Sequence, residues 1–84
     1  MRDGKRAVEL AKKACELSGW KVAGHLATLA AAYAEVGDYG SAINWQTKAN
    51  ALYTDAADKK SGEALLESFM ESFKIQAEEK ALPG

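Results

Sequence analysis

The sequence predicts an all-α chain of four antiparallel helices, stacked hairpin on hairpin, and three observations predict it. The first is internal repetition. Arg6-Ala-Val-Glu-Leu-Ala-Lys-Lys-Ala-Cys-Glu-Leu17 returns thirty-five residues later as Ser41-Ala-Ile-Asn-Trp-Gln-Thr-Lys-Ala-Asn-Ala-Leu52, setting Ala7 on Ala42, Val8 on Ile43, Lys13 on Lys48, Ala14 on Ala49 and Leu17 on Leu52. Such a period marks a helical repeat array, in which one hairpin cannot bury its apolar face without neighbours. The second is composition: seventeen alanines and a single proline, Pro83, suit helices that approach one another closely. The third is punctuation, with Gly19 and Gly37 between the helix-like stretches, where a left-handed stop is needed.

The first helix is expected over residues 4–18, after Asp3, whose carboxylate can accept hydrogen bonds from first-turn amides. Ala7, Leu10, Ala11, Ala14 and Leu17 fall at three- and four-residue spacing and form its apolar stripe. The second, residues 22–36, is nearly all small or apolar and carries Ala23, Leu26, Leu29, Ala30 and Tyr33 inward. Asp38 then caps a third helix over residues 39–53, whose inward set is Ala42, Ile43, Trp45, Ala49 and Leu52. Thr54 or Asp55 can cap the fourth, residues 55–80. Ser61-Gly62 is its weak point, because glycine inside a helix costs about 1 kcal/mol relative to alanine, and a helix restarting at Ser61 is an alternative.

Eighty-four residues make one small domain, 1–84, or a piece of a longer array. The net charge of −1 is unevenly spread. Residues 1–21 hold six basic and three acidic side chains, a charge of +3, whereas residues 54–84 hold four basic and seven acidic ones, −3. A basic end this diluted argues against nucleic acid as a partner, where a concentrated basic face is expected. No apolar run approaches the roughly twenty residues of a membrane span, and no export leader is visible, so a cytoplasmic location is the default expectation. Cys15 is the only cysteine, which excludes an internal disulfide and a cysteine metal cluster.

Residues 23–54 resemble one tetratricopeptide repeat. The motif is carried by Leu26-x2-Leu29-Ala30-x2-Tyr33, then Gly37-Asp38-Tyr39, then Ala42 and Ala49 seven residues apart. Ala30, Ala42 and Ala49 are small where two helices nearly touch, Tyr33 fills the space beside them, and Gly37 makes the turn. The family's usual tryptophan is replaced here by Leu26, its glycine by Ala30, its later aromatic by Gln46 and its closing proline by Thr54. The first helix then resembles the second half of a preceding repeat, and the fourth the first half of a following one. A shift of thirty-six residues lays Leu29 on Leu65, Ala30 on Leu66 and Tyr33 on Phe69. The resemblance covers residues 3–75 and implies a right-handed superhelical fragment acting as a non-catalytic protein-interaction scaffold.

In such arrays the first helix of each hairpin lines the concave side. The resemblance places Gly24, Ala27, Ala31, Ala34 and Glu35 there, and, by the shift, Lys60, Glu63, Glu67, Met70 and Glu71. Relatives that hold a C-terminal carboxylate do so with lysine, asparagine and arginine at such positions, so carboxylate capture is not expected. The expected partner is a protein or peptide segment, basic or amphipathic, lying against an acidic wall of Glu35, Glu63, Glu67 and Glu71. The bland alternative is a solvated acidic face. A different reading makes the chain a self-assembly module. The first helix then lacks cover over Ala7, Leu10 and Ala14, the last over Phe69, Met70, Phe73 and Ile75, and a homo-oligomer forms through these ends.

Four residues invite catalytic or binding roles and have plainer ones. His25 is the only histidine and is expected at the surface or groove edge. Cys15 is expected as a packed thiol, Trp20 over the first inter-helix turn, and Trp45 between the third and fourth helices, where exposure would make it a binding anchor. No phosphate loop, paired histidines or nucleophile elbow occurs; neither enzyme activity, nor a cofactor, nor a metal is expected.

Overall fold

The computed structural model describes residues 4–81. Among these, four helices and no strands form: α1 (Gly4–Leu17), α2 (Ala23–Glu35), α3 (Tyr39–Leu52) and α4 (Ala56–Ala81). Val22, Val36 and Tyr53, which the sequence places inside helices, instead cap them from outside. The cap expected at Asp3 lies outside the described residues. Asp38 does cap α3: its carboxylate accepts from the Ser41 N–H at 3.2 Å and the Ser41 hydroxyl at 2.9 Å.

The α1–α2 and α2–α3 turns use left-handed backbone. Gly37, at φ 83°, sends its N–H to the Ala34 carbonyl, and Asp38 follows with 2.9 Å to that of Tyr33. At the first turn Gly19 (φ 71°) is followed by Trp20, also left-handed at φ 62°, whose N–H donates to the Cys15 carbonyl at 2.8 Å. A Cβ-bearing residue there costs on the order of 1 kcal/mol.

Each helix packs on its neighbours in sequence, α1 on α2, α2 on α3 and α3 on α4. A Cβ at Gly4 would run into the Val36 side chain, so the start of α1 meets the end of α2. α4 runs antiparallel to α3, for Gly62 lies against Asn50 and Tyr53, and Phe73 against Gly40. α4 is 26 residues long, about 39 Å, and continuous through Ser61-Gly62. Its tip is anchored where Gln76 Nε2 donates to the Gly37 carbonyl at 3.0 Å.

The core is made of alanine-sized contacts. Ala11, Cys15, Leu26, Leu29 and Ala49 form one buried cluster, and Ala30, Ala42 and Phe69 another, with Tyr33 packed against both. Three expectations about facing residues are corrected. On α1 the buried stripe is Ala11 and Cys15 with Val8 beside it, while Leu10 and Leu17 are 61% and 82% exposed. Two apolar stripes run along α1 one residue apart, and only the Val8 one meets α2. On α3, Gln46 is fully buried along with Ala42 and Ala49, and Leu52 is exposed. On α4, Phe69 belongs to the core and not to an uncovered end, because Ala30 and Ala42 leave it room.

Gly62, read from the sequence as a weak point, is buried and required. A Cβ there would run into Asn50 Oδ1 and stand 2.9 Å from Asn50 Cγ and 3.0 Å from the Tyr53 ring. Asn50 is held in place because its Oδ1 accepts from Gln46 Nε2 at 2.9 Å. Gln46 Oε1 is buried without a partner, which costs about 1–3 kcal/mol.

Candidate interaction surfaces

Three surfaces combine exposure with chemistry. The first lies along α2 and α4. On α2, Gly24, Ala31 and Glu35 are exposed, while Ala27 and Ala34 are half-buried against the core. Ala27 is therefore partly withdrawn from the open face expected for it. On α4, Lys60, Glu63, Glu67, Met70 and Glu71 are all exposed. The Gln76–Gly37 anchor sets the end of α2 beside the second half of α4. Glu63 lies thirteen residues before Gln76, about 20 Å down the α4 axis from that anchor. Glu63, Glu67 and Glu71 form the exposed acidic row of α4.

The second comprises the outer faces of α1 and α4. Ala7 and Ala14 are half-buried and Leu10 is exposed; at the other end Met70, Phe73 and Ile75 are exposed. Leu17 and Leu65 join them as exposed apolar residues.

The third was not legible in the sequence. Trp45 does not lie between α3 and α4; it turns toward the α1–α2 junction and stacks on Trp20, ring centroids 5.1 Å apart and planes 19° from parallel. Stacking of this kind contributes about 0.5–1.5 kcal/mol, comparable with the strain at Trp20. Lys48 Nζ lies 4.4 Å from the Trp45 ring centroid. Together with Leu26, Ala51 and Leu52 these residues line an open cleft of about 390 Å³. The one available signal was Trp20 directly after the Gly19 stop, where the turn throws a large ring back over the preceding hairpin.

The residues that invited a chemical reading are held structurally. His25 Nδ1 lies 3.0 Å from the Ser18 hydroxyl, itself within 3.0 Å and 3.1 Å of the Ala14 and Cys15 carbonyls. His25 is thereby a half-buried clasp on the α1–α2 turn rather than a surface group. Cys15 is fully buried and unpaired; burial pushes its thiol pKa up, and the nearby Glu16 carboxylate adds to the rise, so little of it is thiolate at neutral pH. Lys12 Nζ sits 5.9 Å from the Tyr33 ring centroid. Among the described residues, no three His, Cys, Asp or Glu side chains are grouped to hold a metal ion, and no helix is long and apolar enough to cross a membrane. No protein-family model, curated protein or solved structure matches this chain.

Proposed function

We propose that this chain is a non-catalytic protein-interaction scaffold of the tetratricopeptide-repeat kind, whose α2–α4 face receives a basic or amphipathic segment of a partner protein. The observation that carries the reading is the row Glu63, Glu67 and Glu71, exposed along one side of α4 with Met70 beside it, together with the exposed small residues Gly24 and Ala31 on α2. Like charges at four-residue spacing destabilise a helix by a few tenths of a kcal/mol per pair. A cationic partner relieves that repulsion, while Met70 supplies an adaptable apolar contact. Alanine at the α2 positions leaves a shallow floor that a helix or extended segment can approach closely.

The test is titration of an amphipathic lysine/leucine peptide into the native chain and into the triple variant Glu63→Lys, Glu67→Lys, Glu71→Lys at low ionic strength. Native binding is expected, weakened about tenfold or more in the variant. Equal affinity for the two proteins, or none for the native one, overturns the proposal.

A further inference from the structure

α1 and α3 are copies of one helix, and α2 and α4 are copies of another, yet only the inner pair is covered on both sides. In α3, Ala42 and Ala49 are fully buried, clustered with Ala30, Leu26 and Leu29 of α2. Their counterparts in α1, Ala7 and Ala14, are only half-buried, and Leu10 and Leu17, counterparts of Trp45 and Leu52, stand exposed. The complementary deficit lies at the other end. On α2, Ala30 and Ala34 pack against Ala42 of α3. Their counterparts on α4 are Leu66, half-buried, and Met70, which is exposed with Phe73 one turn on. So α1 offers one half of the α2–α3 type of contact, and α4 offers the other half.

From this complementarity we infer that a second copy of the chain docks its α1 onto the open side of α4, setting Leu10, Ala14 and Leu17 against Leu66, Met70 and Phe73. The two chains then build a hairpin between them as α2 and α3 do within one. The order of helix types supports the same partner: the sequence of types through α1, α2, α3 and α4 alternates, and a second α1 after α4 continues the alternation unbroken. Charge supports it as well, since residues 1–21 carry +3 and residues 54–84 carry −3. The two surfaces differ, so the contact is head-to-tail and extends to a filament or closes to a ring. It shares Met70 with the peptide-binding reading, but its test contains no foreign ligand, so failure of one reading is distinguishable from failure of the other.

Sedimentation equilibrium on three full-length proteins tests it: the native chain, Leu10→Glu and Met70→Lys. Both substituted positions are exposed, and far-UV circular dichroism checks that both variants fold. The native chain is expected to grow in mass with concentration, less so in high salt. Each variant alone is expected to associate about tenfold more weakly or not at all. An equimolar mixture of the two variants is expected to stop at a dimer, since each keeps the surface the other has lost. A native chain that stays monomeric at millimolar concentration overturns the inference. So does a variant that self-associates by itself as tightly as the native chain, the mark of a symmetric α1–α1 or α4–α4 contact, or a mixture that associates no more tightly than either variant alone.

Discussion

The α1–α2 and α3–α4 contacts are two versions of one repeated interface, and they distribute volume in opposite ways. In the first, Ala11 and Cys15 of α1 share a buried cluster with Leu26 of α2. In the second, their counterparts on α3 are the larger Gln46 and Asn50, and Leu26 is replaced on α4 by Gly62, which a Cβ would drive into Asn50. Bulk has moved from one helix to the other while the spacing is kept. Close-packed interiors require such compensation, because neither a void nor an overlap of one side chain is tolerated cheaply. On this side of the molecule the large group, Gln46, is polar and is bonded to Asn50.

Three changes break or sharpen the comparison. Leu26→Ala removes the bulk from the first contact and leaves a cavity beside Cys15; a loss of about 3 kcal/mol in urea unfolding followed by far-UV circular dichroism is expected. Gly62→Leu adds bulk to the second contact without making room, and a loss of about 2 kcal/mol is expected. Combining it with Gln46→Ala, Asn50→Cys and Tyr53→Ser imports the α1–α2 arrangement, and at least half of that loss should return. If the fourfold variant is no more stable than Gly62→Leu alone, the two interfaces are not interchangeable. The smallest effect is expected for Gln46→Met, which keeps the volume and removes the orphaned carbonyl. Asn50, half-buried, can turn to water for its lost donor, and a gain of about 1 kcal/mol in the same assay is expected.

Helix stops and the α3 cap were legible because they are local: Gly19, Gly37 and Asp38 act on their own backbone, whatever packs above them. The small residues Ala30, Ala42 and Ala49 around Tyr33 were legible from their spacing. Facing was less so. On α1 two apolar stripes lie side by side, and hydrophobicity alone cannot choose between Leu10 with Leu17 and Ala11 with Cys15; the choice is made by what α2 presents. Gly62 read as a flaw because its reason, Asn50, lies on another helix. The Trp20–Trp45 stack depends on a left-handed tryptophan, a conformation sequence disfavours at any bulky residue. The acidic row on α4 was plain from its four-residue spacing, but the anchoring of that helix by Gln76 on Gly37 joins residues 39 positions apart and left no local signal.

The paired indoles also decide what light can report about this molecule. Trp20 and Trp45 are its only tryptophans, and the tyrosines lie at 33, 39 and 53, so the long final helix holds no absorbing side chain stronger than phenylalanine. With the rings 5.1 Å apart, exciton-split dichroism registers the Trp20–Trp45 contact itself. Fraying of the end of the fourth helix from its Gly37 anchor would leave that exciton signal in place while shifting the backbone amide signal. A gap between the two melting curves therefore measures how independently that helix lets go.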